Sequence, residues 1–119
     1  MRADVFVGLN VDHYPRQDFG VGDLVLDDGA KTDRLLIVLN GRLAEVGKGR
    51  ALGPGDVVKA IEFFGSSQYS GQLRGRAPGQ IAVVPRAAVR DGLAAQGAMT
   101  WNLACAIAIE ALASMKEHA

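Results

Sequence analysis

The feature that most limits what this chain can fold into is its punctuation. Between Asp18 and Pro85 every apolar run is short, and a glycine turn interrupts each one. The runs are Leu24-Val25-Leu26, Leu35 to Leu39, Leu43 to Val46, Val57-Val58 and Ile81 to Val84. Asp28-Gly29, Asn40-Gly41, Gly47-Lys48-Gly49 and Gly53-Pro54-Gly55 lie between them. A stretch broken this often cannot propagate a helix of normal length, whereas short strands at this spacing suit an antiparallel sandwich or barrel. Asn40-Gly41, set between two apolar runs, is the strongest hairpin signal, because both residues tolerate positive φ. Gly53-Pro54-Gly55-Asp56 fits a type II-like turn, in which proline fixes one φ and the glycine after it supplies a positive one.

Beyond Pro85 the composition turns alanine-rich. Arg86 to Ala95 fits a short helix ending near Gly97, weakened by Gly92. Thr100 is the expected N-cap of a longer helix from Trp101 to Glu117, with Lys116 and His118 near its C-terminal pole. Trp101, Ala104, Cys105, Ala108, Leu112 and Met115 form one stripe of this helix. Leu103, Ile107, Ala111 and Ser114 form a second, and Ala106, Ile109 and Ala113 fill most of what remains. A surface helix needs one apolar stripe. A helix apolar almost all round has two surfaces to hide, and a small β-domain covers only one. A homodimer through this helix is therefore expected, with Leu103, Ile107, Glu110 and Ala111 at its interface. The domain organisation read from these shifts is an N-terminal extension over 1–17, a β-domain with a short helix over 18–98, and a dimerisation-type helix over 99–119.

Length and charge narrow the function classes. The chain has 119 residues, enough for one core, with 49% hydrophobic and 22% charged residues. Its 13 Lys and Arg balance its 13 Asp and Glu, so the basic excess of a whole-chain nucleic-acid binder is missing. The single cysteine, Cys105, cannot form an intrachain disulfide, which suits a reducing cytoplasm. It lies in an apolar helix with no histidine or lysine near it, so a reactive thiol is not expected. Val5 to Leu9 is too short for a secretory signal core, and Met99 to Met115 contains Asn102 and Glu110, so neither a leader nor a membrane span is expected.

The order of features resembles a known family. Phe19-Gly20-Val21-Gly22-Asp23-Leu24-Val25-Leu26-Asp27-Asp28-Gly29 is similar to the first hairpin of the cyclic-nucleotide-binding domain. Asp33-Arg34-Leu35-Leu36-Ile37-Val38-Leu39-Asn40-Gly41-Arg42-Leu43 resembles its central strand pair with the hallmark turn glycine. Leu52-Gly53-Pro54-Gly55-Asp56-Val57-Val58 resembles the approach to the phosphate-binding cassette, and Ile81-Ala82-Val83-Val84-Pro85-Arg86 the last strand. The resemblance covers about residues 18 to 117. It implies a mainly β fold, a double-stranded β-helix or jelly-roll of antiparallel strands followed by two C-terminal helices that respond to ligand and often pair in a dimer. The catabolite-activator type adds a helix-turn-helix. None follows within this sequence, so direct DNA binding is not expected.

The cassette is where the sequence departs from the family. A glycine-glutamate pair there takes the ribose hydroxyl, and an arginine further on pairs with the cyclic phosphate. Lys59 and Ala60 stand where the glycine and glutamate belong, and Tyr69 stands where the arginine belongs. A charge-assisted phosphate contact is worth roughly 1.5–3 kcal/mol, so losing the arginine alone weakens binding by at least about tenfold. Glu62, two positions late, and Lys59, Arg74 or Arg76 are the replacement groups. Arg74 follows Leu73, and strand alternation puts the two on opposite faces. The candidate ligand-binding residues are thus Lys59, Glu62, Tyr69, Ser70 and Arg74.

Each has a plainer reading. Lys59 suits an exposed strand end, Arg74 and Arg76 suit isolated surface positions, and Tyr69 either plugs the vacated pocket or packs at its edge. Phe63-Phe64 reads as core, Ser66-Ser67-Gln68 as a solvated loop, and Trp101 as a lid or a packing residue. Gly47-Lys48-Gly49-Arg50 lacks the rest of a P-loop and reads as a hairpin tip. Only two histidines, His13 and His118, occur, both near the ends, so neither a cupin-type metal centre nor a nucleophile triad is expected. No cofactor is implied. The reading is a non-enzymatic, dimeric regulatory domain that senses a small anionic ligand or nucleotide, or else a protein-interaction module with a vestigial pocket.

Overall fold

The computed structural model describes residues 13–117. Residues 1–12 of the expected N-terminal extension, and His118, lie outside the described residues. The elements in order are β1 (Arg16–Phe19), β2 (Leu24–Leu26), β3 (Arg34–Glu45), β4 (Ala51–Leu52), α1 (Ala60–Gly65), β5 (Leu73–Pro85), α2 (Arg86–Ala94) and α3 (Thr100–Glu117). The antiparallel β-roll followed by two C-terminal helices is therefore present. β1 straddles the boundary expected between residues 17 and 18.

β5 organises the roll. It pairs antiparallel with β1 (Arg16 opposite Ala82), with β2 (Leu24 opposite Arg74) and with nearly the whole length of β3 (Arg34 opposite Pro85, Glu45 opposite Leu73). β4 adds to the far edge of β3, with Leu43 opposite Leu52. Leu35, Leu36, Ile37 and Val38 are all buried in succession. Four buried neighbours on one strand mean that both its faces are covered, and this unbroken apolar run marks the centre of the domain.

Three local expectations are corrected. Asn40-Gly41 does not turn a hairpin: β3 runs straight through it, with register shifts on both sides. Gly41 does take positive φ, +80°, but in a bulge. A Cβ on Gly41 would lie 2.6 Å from the Pro78 carbonyl oxygen, and a Cβ on Gly79 would strike that of Asn40, so the two strands meet too closely for side chains. Val57-Val58 forms only an isolated bridge to Ile37 rather than a strand, and α1 follows at once. Thr100 is the first helical residue, one position later than a cap, because Leu103 N–H already bonds to Met99 O at 2.9 Å.

The expected turns at Asp28-Gly29 and Gly53-Pro54-Gly55-Asp56 form. Asp56 N–H reaches Gly53 O at 3.1 Å, with Gly55 at φ +87°. On α3, Ala108 is buried and Trp101, Ala104, Cys105 and Leu112 are half-buried against the domain, whereas Met115, assigned to the same stripe, is 59% exposed. In the second stripe Leu103 and Ile107 face outward, each 59% exposed, and Ser114 is exposed, whereas Ala111 is half-buried. α3 docks on α1 closely enough that a Cβ on Gly65 would come within 2.8 Å of the Ala108 carbonyl carbon.

Candidate functional site

Three chain segments converge beside the start of α1. β3 ends at Glu45. The turn after Val58 places Lys59 in the left-handed region (φ 46°, ψ 50°), the one non-glycine residue with positive φ among the described residues. That conformation costs an L-residue roughly 1–2 kcal/mol. Lys59 Nζ then lies 2.9 Å from Glu45 Oε1 and 3.6 Å from Glu62 Oε1, in the first turn of α1. All three side chains are 17–19% exposed, so their charges are largely withdrawn from water.

Glu62 in turn accepts from Ser70 N–H at 3.1 Å and from the Ser70 hydroxyl. Glu45 lies over Gly71, where any Cβ would strike its carboxylate, and Gly71 N–H donates to Asp28 Oδ1 at 2.8 Å. Lys48 adds a second contact to Glu45 at 3.4 Å, from a largely exposed position. Burial pulls the Glu45 carboxyl upward, but the hydrogen bond and charge of Lys59, helped by Lys48, outweigh it and hold the group below its ordinary value. Lys59, Glu45, Glu62 and Ser70 form a clasp of side chains that satisfy one another.

Of the candidates named from sequence, Lys59, Glu62 and Ser70 come together. Tyr69 joins the core instead. Its side chain is 1% exposed and its hydroxyl donates to Arg34 O at 2.7 Å. Burial pushes that hydroxyl well above its ordinary pKa, against the opposing charges of Arg34 and Arg86. Arg74 stays apart on the outer face, exposed, with Nη1 donating to Gly22 O at 2.9 Å. The residue that sequence reasoning missed is Glu45. Its signal was a lone carboxylate inside the otherwise apolar run Leu43 to Val46, two positions before the Gly47-Lys48-Gly49 tip.

Beside the clasp lies a cleft of about 340 Å³ bounded by Asp28, Glu62, Gln68, Tyr69, Ser70 and Leu112. Leu112 belongs to α3, so this cleft reaches the C-terminal helix. On the other side of α1, the aromatic residues lock the helices together. Phe63 and Phe64 pack edge to face at 5.0 Å, and Trp101 meets them at 6.3 and 5.6 Å. Among the described residues no group of three His, Cys, Asp or Glu is placed to hold a metal ion. No helix among them is long and apolar enough to cross a membrane.

No protein-family model and no curated protein matches the sequence. Solved structures do match the fold. A transcriptional regulator from Thermotoga maritima superposes with a TM-score of 0.65 at 16% identity, over 92% of this chain and 95% of that one. A cyclic nucleotide-binding-like protein from Brucella abortus gives 0.56 at 16% identity, over 69% and 77%. The regulatory subunit of a cAMP-independent protein kinase A from Trypanosoma brucei gives 0.59 at 20% identity, over 79% of this chain and 41% of that one. At these identities the likeness is one of fold.

Proposed function

We propose that this chain, a roll of the cyclic-nucleotide-binding type, is a non-enzymatic regulatory domain whose cassette is closed by its own side chains. On this reading it does not hold cyclic AMP in the manner of the family. The observation that carries the proposal is the clasp: Lys59 stands between the Glu45 and Glu62 carboxylates, and Tyr69 is committed to the core. A cyclic phosphate entering there meets two carboxylates that already hold the half-buried ammonium of Lys59, while Arg50 and Lys48 border the clasp only from exposed positions. Desolvating that anion beside two carboxylates costs several kcal/mol, a large part of the affinity of a micromolar sensor.

The sensing surface on this reading is the cleft next to the clasp, because an occupant there touches Glu62 and Ser70 on one side and Leu112 of α3 on the other. α3 is also the proposed homodimer interface, through Leu103, Ile107, Glu110 and Ala111. The outward exposure of Leu103 and Ile107, beside Ile109 at 56%, supports that assignment. The same apolar face supports the second reading, a protein-interaction module with a vestigial pocket. A cytoplasmic setting fits the lone, half-buried Cys105.

Thermal-shift and equilibrium binding measurements with cyclic AMP and cyclic GMP test the primary reading. No change in melting temperature is expected at a ligand concentration about one hundred times a micromolar Kd, where true binding would add about 2.7 kcal/mol. Saturable uptake at micromolar concentration refutes it. A shift with some other small polar ligand favours the sensor, and silence across such a screen favours the interaction module.

A further inference from the structure

Arg86, the first residue of α2, has no part in the clasp and is held in an unusual way. Its guanidinium carbon lies 4.9 Å from the ring centroids of both Phe63 and Trp101. Nη1 donates to two main-chain oxygens, Thr32 O at 3.0 Å and Phe63 O at 2.7 Å. Those two bonds use both hydrogens of one nitrogen and leave the other donors of the five-donor fork unengaged by any described residue. No carboxylate pairs with Arg86 among the described residues, although the side chain is half-buried. Stacking fixes the orientation of the fork, and the carbonyls fix its position, so little rotamer entropy remains to be lost on binding an anion.

Arg86 lines a cleft of about 560 Å³ together with Lys31, Thr32, Asp33, Ser66 and Ser67. That volume falls in the usual range for small-molecule sites. Lys31 is exposed on its rim, so the cleft presents two cations against the one carboxylate of Asp33. Serine hydroxyls and a pre-oriented guanidinium beside an ammonium are the donor set that phosphoryl oxygens take. Bonds from Thr32 Oγ1 to Ser66 O, 2.6 Å, and from Thr32 N–H to Ser67 O, 3.1 Å, hold the two walls together.

We infer that this cleft, at the C-terminal end of α1, binds the phosphoryl group of a small metabolite, with Arg86 as the main contact and Lys31 at the rim. It shares Ser66 and Gln68 with the cleft beside the clasp but none of the clasp's charged groups, and it does not need the proposed regulatory reading. Trp101 is the chain's one tryptophan and lies against the guanidinium groups of both Arg86, at 4.9 Å, and Arg90, at 5.0 Å, so its fluorescence responds to a change at Arg86.

The test is a titration of the full chain with inorganic phosphate, following Trp101 fluorescence against sodium chloride at matched ionic strength. A saturable change in the millimolar range is expected with phosphate and not with chloride. Lys31→Gln, at an exposed position, is expected to raise the apparent Kd about fivefold with an unchanged melting temperature. Arg86→Lys keeps the charge but loses the planar fork, and is expected to raise it at least about tenfold. A phosphate response that is linear, or equal to that of chloride, overturns the inference. So does a saturable response that Lys31→Gln leaves unaltered, a criterion that holds even if Arg86→Lys does not fold.

Discussion

Gly65→Ala adds one methyl group at the joint between the cassette helix and the C-terminal helix. The new Cβ would stand 2.8 Å from the Ala108 carbonyl carbon, 3.0 Å from its oxygen and 2.9 Å from Leu112 Cδ1. Leu112 is a side chain and can rotate away, but the Ala108 carbonyl is part of a helical backbone and cannot. Relief therefore requires α3 to move off α1 as a body. Overpacking of this kind costs about 1–3 kcal/mol, while replacing a glycine with alanine returns about 0.4–1 kcal/mol through the unfolded chain. The net expectation is a loss of about 1–2 kcal/mol, or roughly 3–8 °C in Tm for a domain of this size. Urea unfolding followed by circular dichroism measures it as a lower midpoint with an unchanged slope. Leu112→Ala in the same background is expected not to restore the midpoint, since the backbone contact remains. A Gly65→Ala protein as stable as the parent would refute the close approach of the two helices. Rescue by Leu112→Ala would show that the side chain, not the backbone, sets the distance.

Further outcomes are expected at the clasp, the core and the outer face of α3. Lys59→Met leaves Glu45 and Glu62 facing each other, mostly buried, with the left-handed backbone retained, and should lose about 1–2 kcal/mol in chemical denaturation. Lys59→Gly makes the same electrostatic loss but relieves that backbone, so it should lie about 1 kcal/mol above Lys59→Met, and equal midpoints would argue against strain at this position. Because the Glu45 carboxyl is held below its ordinary value of 4.5, its contribution is complete above that pH and is lost as pH falls through the folded-state value. Acid titration of stability should show this slope and Glu45→Gln should flatten it. Tyr69 titrates in the opposite range: above about pH 10 the unfolded chain releases the proton that the folded chain keeps, so stability falls with rising pH, and Tyr69→Phe should remove that fall while losing about 1 kcal/mol at neutral pH. Ile107→Glu should turn a sedimenting dimer into a monomer, and a parent that is monomeric at tens of micromolar would sink the interface assignment.

The roll was legible because its turns are dictated locally. Gly53-Pro54-Gly55-Asp56 has the residues that one turn type demands, and the turn forms where it was expected. The alternation of α3 was legible for the same reason, down to the buried Ala108 and the exposed Ile107. Asn40-Gly41 misled because positive φ serves a bulge as well as a hairpin, and only the arrival of Pro78-Gly79 from across the sheet decides between them. β5 was seen only at its apolar end, Ile81 to Val84. Its first half contains Gly75, Pro78 and Gly79, which break strands in isolation but here admit the Gly20 and Asn40 backbones. At the site, the absence of the expected arginine could be read from the chain, but its replacement could not. Lys59 adopts a conformation that its own chemistry disfavours, and Glu45 reaches it from a distant strand. Both facts depend on tertiary contacts.

The place of β5 in the sheet has a consequence for how the domain is made. β1, β2 and β3 all wait for one partner, whose residues lie far downstream of theirs, from Leu73 to Pro85. During synthesis the first strands leave the ribosome with open edges, β3 meeting only the two-residue β4, and most pairing waits until that late segment emerges. Such distant closures make for assembly in milliseconds to seconds rather than microseconds. A nascent chain arrested before Leu73 would therefore display unpaired, apolar strand edges to its neighbours, and would be a substrate for holdase chaperones rather than a smaller version of the domain.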